Sequence, residues 1–107
     1  MNISDIIRRV VEVNHFDAID IRVECPLVSG VRVIPTGQLH GQNVKIVLPD
    51  GVRGFYEFAQ QEREKRNGVF NVIEIHVDGK GAYSYTVHFD NVLQKRTEEN
   101  IDNRYPI

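Results

Sequence analysis

The sequence has no tryptophan, one cysteine, one methionine and no long apolar run, and each shortage narrows what the chain can be. A lone Cys25 cannot close an internal disulfide, so the fold has to rest on a packed core and a reducing compartment is expected. No stretch approaches the roughly 20 consecutive apolar residues that a helix needs to span a bilayer, which points away from an integral membrane protein. The first residues, Met1-Asn2-Ile3-Ser4-Asp5, lack the basic and apolar regions of a secretion signal, so the expected location is cytoplasmic. Nor is there an excess of basic charge: 13 Lys and Arg stand against 15 Asp and Glu, for a formal net charge of -2. Nucleic-acid binding draws most of its affinity from counterion release by basic side chains, and is disfavoured here.

What is present is ordinary globular material. With 107 residues, 41% of them hydrophobic and 26% charged, the chain suits one domain (1–107) around one core. Ile3, Ile6, Ile7, Val10 and Val11 recur at helical spacing with Asp5, Arg8, Arg9 and Glu12 opposite them, predicting a helix capped by Asn2 or Ser4 that ends near Asn14. The period then changes to two. Ile19, Ile21, Val23 and Cys25 alternate with Asp20, Arg22 and Glu24, a strand with one wet face that Pro26 ends.

Two further strands are expected over 30–34 and 44–48, separated by Pro35-Thr36-Gly37 and a polar loop through His40-Gly41. Asp50 can cap a second helix with Val52, Phe55, Tyr56 and Ala59 on its apolar face. Beyond Ala59 the stretch 60–67 is almost wholly polar, so only the first half of this helix is expected in the core, with Gly68 ending it. The run Gln61-Glu62-Arg63-Glu64-Lys65-Arg66 reads as a solvated face.

Residues 72–77 and 83–89 flank Asp78-Gly79-Lys80-Gly81, the strongest local signal in the chain. It predicts a β-hairpin. Side chains that face one side must pair, which sets Ile73, Ile75 and Val77 opposite Val87, Tyr85 and Tyr83. Asp78 then faces Ala82 across a three-residue loop in which Gly81 takes the left-handed position. The tail 92–107 is polar, with Val92, Leu93, Ile101, Tyr105 and Ile107 as its apolar handles, and either forms a short helix or lies on the surface. The element order is α-β-β-β-α-β-β. This is an α+β fold, a mainly antiparallel sheet with two helices on one face and the other face left polar.

Motifs that carry chemistry are scarce. His15, His40, His76 and His88 show no metal-ligand spacing, and the hairpin register displaces His76 from His88 by four residues, roughly 13 Å at about 3.3 Å per residue. That separation argues against a shared metal or a shared scissile bond. Cys25 falls on the apolar side of its strand with no electropositive neighbour evident, so core packing outweighs a nucleophilic role. No catalytic residue, metal ligand or cofactor is assigned. More informative is the wet face of the sheet, onto which Asp20, Arg22, Glu24, Arg32, Lys45, Glu74, His76, Ser84, Thr86 and His88 should project. A flat, polar face of mixed sign suits macromolecular recognition more than enclosure of a small molecule.

The stretch Phe70-Asn71-Val72-Ile73-Glu74-Ile75-His76-Val77-Asp78-Gly79-Lys80, followed by Tyr83-Ser84-Tyr85-Thr86-Val87-His88-Phe89-Asp90-Asn91, resembles the carboxy-terminal half of the YezG-type immunity proteins. In that family a bulky aromatic opens the penultimate strand, a D-G-K or D-G-x turn follows, and an aromatic-Asp pair closes the last strand. Phe70, Asp78-Gly79-Lys80 and Phe89-Asp90 stand in those places. The pattern covers about residues 50 to 91. The family's usual tryptophan is absent, the second helix is short, and valine and isoleucine replace aromatics in the early strands.

The resemblance implies a cytoplasmic immunity protein, an antitoxin that binds a cognate toxin domain encoded by an adjacent gene, often a nuclease, and blocks it stoichiometrically. It would be no enzyme. Candidate partner-binding residues are Asp20, Arg22, Glu24, Glu62, Glu64, Glu74, His76 and His88, with Glu98 and Glu99 as further carboxylates for a basic surface. Two alternatives stand beside it: a small histidine-dependent nuclease using Glu74, and a regulatory adaptor that self-associates through a sheet edge.

Overall fold

Asn2 starts the first helix, α1 (Ile3–Val13), by accepting the Asp5 backbone N–H on its side-chain oxygen at 3.0 Å. That bond satisfies one of the donors that every helix start leaves orphaned. Helical spacing then stacks Ile6, Ile7 and Val10 on one buried face. The computed structural model describes residues 2–26, 30–66 and 70–104, the side chains of 98 and 100–104 excepted. The expected helix stop at Gly68, with Val69, and the handles Ile101, Tyr105 and Ile107 lie outside what is described.

Strand β1 (Ala18–Glu24) follows, then β2 (Arg32–Leu39), β3 (Gln42–Val44), helix α2 (Arg53–Lys65), β4 (Val72–Asp78), β5 (Tyr83–His88) and helix α3 (Asn91–Arg104). The five strands form one antiparallel sheet in the order β3-β2-β1-β4-β5. The fold is α+β in the expected element order, with a third helix where the polar tail was placed.

One sheet face makes the core. Ile19, Ile21 and Val23 of β1 and Ile73, Ile75 and Val77 of β4 pack with Ile6, Ile7 and Val10 of α1 and with Phe55, Phe58 and Ala59 of α2. Burying each of these larger side chains contributes roughly 1.5–3 kcal/mol before entropy is counted. The hairpin register is the expected one, Ile73 opposite Val87, Ile75 opposite Tyr85 and Val77 opposite Tyr83. Asp78 and Ala82 close a three-residue loop through a 2.9 Å backbone bond, and Gly81 sits at φ +88°.

Several local expectations fail for physical reasons. Pro35-Thr36-Gly37 lies within β2 rather than between strands. Pro35 is tolerated because β3 pairs only with Gly37–Leu39, leaving β2 an edge at the proline. Gly37 is buried with no room for a side chain, since a Cβ there would stand 2.3 Å from Ile46 Cδ1. The turn falls at His40-Gly41, within the expected polar loop, but as a two-residue connection with φ of 53° and 75° between Leu39 and Gln42, which moves the third strand from 44–48 back to Gln42–Val44.

The other differences concern α2. Asp50 does not cap the helix, which starts after Val52 with no side-chain cap. Asp50 Oδ1 instead accepts from Arg9 Nη1 at 2.8 Å and joins α1 to the turn before α2. Val52 and Tyr56 are half exposed, and the buried stripe is Phe55, Phe58, Ala59 and Glu62. Helix α2 is therefore anchored along most of its length, not only in its first half.

Candidate functional site

Alternation sends the even-numbered residues of β1, β4 and β5 to the face opposite the core. Cross-strand pairing aligns them in two rows. Ile34, Arg22, Glu74 and Thr86 form one row across β2, β1, β4 and β5, and Thr36, Asp20, His76 and Ser84 form the next. Between them runs a groove of about 450 Å³. The expected flat surface is thus a trough, floored by the strand backbones at Ile21, Ile75 and Tyr85. Lys45 lies beyond the end of β3, so no strand pairing sets it on this face.

Arg22 organises the site. Its Nε donates to Glu24 Oε2 at 3.0 Å, Nη1 to Glu74 Oε1 at 3.3 Å and Nη2 to Asp90 Oδ2 at 3.0 Å. Strand geometry supplies the first two partners, since Glu24 is two residues along the same face and Glu74 is directly opposite. The hydrogen bond to Glu24 does most to raise the guanidinium's pKa, opposed by partial burial and reinforced by Asp90 and Glu74. A fork with three committed donor nitrogens holds its neighbours in a fixed array.

Asp90 is the piece that sequence reasoning left out. Its Oδ1 caps α3 by accepting from the Leu93 N–H at 3.0 Å, while Asn71 bonds its backbone at both N–H (2.7 Å) and carbonyl (2.9 Å). The Leu93 bond leads the effects that hold the Asp90 carboxyl below the ordinary range, with burial opposing and Arg22 adding to it. An aspartate just before a helical run is the usual start signal, but the polarity of the run hid it. Val72, of the same parity as Glu74, is fully buried and lies outside the main core cluster, at the end of the face to which the start of α3 is fastened.

The two strand histidines each meet a carboxylate. His76 Nδ1 lies 2.8 Å from Asp20 Oδ1, and His88 Nε2 lies 3.5 Å from Glu74 Oε2. They remain four residues apart along the paired strands, as the register required.

Of the candidate residues, Asp20, Arg22, Glu24, Glu74, His76 and His88 share this face. Glu62 and Glu64 do not. Glu64 is exposed on α2, whereas Glu62 is 2% exposed and points inward, where Tyr85 Oη donates to it at 2.9 Å and Arg66 Nε at 2.8 Å. Burial pushes the Glu62 carboxyl up, but the bonds from Arg66 and Tyr85 and the charges of Lys65 and Arg66 outweigh it, leaving its pKa lowered. Glu62 is therefore a core carboxylate rather than an interface residue. Glu99 is exposed on α3, and the side chain of Glu98 lies outside the described residues.

Cys25 has a cationic neighbour that the sequence did not reveal: Arg63 Nη2 donates to the Cys25 and Pro26 carbonyls. Burial still dominates over Arg63 and raises the thiol's pKa, so Cys25 stays protonated and inert near neutrality. Among the described residues no three His, Cys, Asp or Glu side chains are grouped to hold a metal, and no helix is long and apolar enough to cross a membrane. Compared with known protein families, curated proteins and solved structures, the chain finds no match.

Proposed function

We propose that this protein is an immunity protein, an antitoxin that neutralises a toxin domain by forming a one-to-one complex across the polar sheet face. The observation that carries the proposal is the arrangement of that face: Arg22 bridges Glu24, Glu74 and Asp90 beside an open groove. Surface ion pairs of this kind add little stability, so their contribution is better sought in recognition, where a fixed pattern of charge sets orientation and speeds encounter. The resemblance of 50–91 to the YezG-type pattern supplies the class of partner. A basic nuclease domain encoded next to this gene fits a face on which Asp20, Glu24, Glu74 and Asp90 outnumber Arg22 and Arg32.

Co-expression with the neighbouring toxin domain tests this. The expected result is a stoichiometric complex and protected cells. Asp20→Lys with Glu74→Lys should slow association at low salt, whereas Glu64→Lys on α2 should not. Absence of any complex with the neighbouring gene product would overturn the proposal.

The pairs His76 with Asp20 and His88 with Glu74 favour a second reading, a small histidine-dependent nuclease, because an oriented imidazole is a ready acid or base. Turnover of RNA or DNA by the purified chain that disappears in His76→Ala or His88→Ala would establish it. The immunity reading expects no turnover.

A further inference from the structure

The groove's two rows stand two residues apart along the strands, about 6.6 Å, and cross four strands, about 14 Å. Glu74 belongs to one row and Asp20 to the other, on adjacent strands, so the two carboxylates face each other diagonally across the slot. Both are open to solvent, with side chains 68% exposed at Asp20 and 52% at Glu74. Arg22 is the groove's guanidinium, and its Nε, Nη1 and Nη2 are committed to Glu24, Glu74 and Asp90. The guanidinium's two remaining N–H groups are flanked by those three carboxylates, whose charge outweighs that of Arg22 and opposes an anionic ligand. Asp20 Oδ1 already meets His76 Nδ1, and Glu74 meets Arg22 and His88, but an ionised carboxylate takes about four hydrogen bonds, so acceptor capacity remains on both, and Thr36, Ser84 and Thr86 add hydroxyls along the walls.

We infer that the groove receives an arginine side chain from the partner, with the guanidinium between Asp20 and Glu74 and its methylene stem lying toward Ile34. This rests on the binding function proposed above and names the contact that the partner makes. Arginine fits better than lysine because the planar fork donates from both edges and so reaches carboxylates on opposite walls at once, whereas an ammonium is a compact point charge that keeps its water. Ile34, apolar at the β2 end of the slot, suits the aliphatic stem of a long basic side chain.

The test is a titration of the ¹⁵N-labelled chain with three capped tripeptides, Ac-Gly-Arg-Gly-NH₂, its lysine analogue and its glutamate analogue. The arginine peptide is expected to move the amide signals of Asp20, Thr36, His76 and Ser84, to bind more tightly than the lysine peptide, and to leave α2 unmoved. The glutamate peptide should do nothing. Asp20→Asn with Glu74→Gln should weaken arginine binding about tenfold, and thermal unfolding of this variant should match the parent, since Arg22 keeps Glu24 and Asp90. Shifts scattered outside the groove, equal response to the glutamate peptide, or undiminished binding by the double variant would overturn the inference. The same variant separates the two proposals. If it still captures the neighbouring toxin at full strength, the groove contact fails and the immunity function stands. If the arginine peptide seats in the groove but no toxin is captured, the contact stands and the immunity function fails.

Discussion

Replacing Glu62 with glutamine should destabilise the protein by about 1–2 kcal/mol at neutral pH. The carboxylate is 2% exposed and accepts from Tyr85 Oη at 2.9 Å and Arg66 Nε at 2.8 Å, with Lys65 Nζ at 3.6 Å. Glutamine keeps one carbonyl oxygen for Tyr85 but turns its NH₂ toward the Arg66 donor, so one charge-assisted bond is lost and two donors face each other. Such a bond is worth about 1.5–3 kcal/mol when shielded. Arg66 is half exposed and regains water, which brings the figure down. The deficit should also depend on pH with a definite sign. Because the carboxyl's pKa is lower folded than unfolded, its ionised form contributes stability above the unfolded value, and that contribution disappears as pH falls through the folded value. The parent should therefore lose stability faster than Glu62→Gln below about pH 4, and the gap between them should close. Urea titrations followed by circular dichroism from pH 7 to pH 3.5 measure both quantities. A variant as stable as the parent at pH 7, or a deficit that stays constant to pH 3.5, would refute the assignment of Glu62 as an ionised core acceptor.

The turns give two further tests. Gly81→Val should cost roughly 1 kcal/mol or more, because a β-branched residue resists the +88° φ at that position; Gly79→Ala should cost less, because Gly79 has no positive φ, although its Cβ would press on the Asp17 carbonyl oxygen at 3.1 Å. Equal midpoints for the two variants in a denaturant titration would contradict the hairpin geometry. His40→Asn should raise stability by about 0.5 kcal/mol, since asparagine accepts the left-handed conformation that His40 adopts at φ 53° more readily than histidine does; a lowered unfolding temperature would count against the two-residue turn.

Where a local rule had a single solution, the sequence alone was sufficient. Alternation in β1 and in the β4–β5 hairpin determined which side chains face the core. Parity then forced the pairing of Ile75 with Tyr85 and put Gly81 in the left-handed position, because a one-residue slip would have exposed the whole apolar set. The same alternation set Asp20, Arg22, Glu24, Glu74, His76 and His88 on one face without any knowledge of strand order. Tertiary structure decided everything that depends on a neighbour distant in the chain. Helix α2 and the Val52 that precedes it have apolar residues at 52, 55, 56, 58 and 59, enough for two overlapping stripes, and only the position of Tyr85 and the sheet selects the one containing Phe58 and Glu62. Pro35 and Gly37 look like chain breakers until the short reach of β3 and the Ile46 side chain show why a strand keeps them. The Arg22 network joins residues up to 68 positions apart, and the groove exists only because β4 returns beside β1 after the α2 crossover, setting Glu74 opposite Arg22 and diagonal to Asp20. Periodicity reports which way a side chain points, since that follows from the backbone repeat; which side chain it meets is set by packing, which no local window contains.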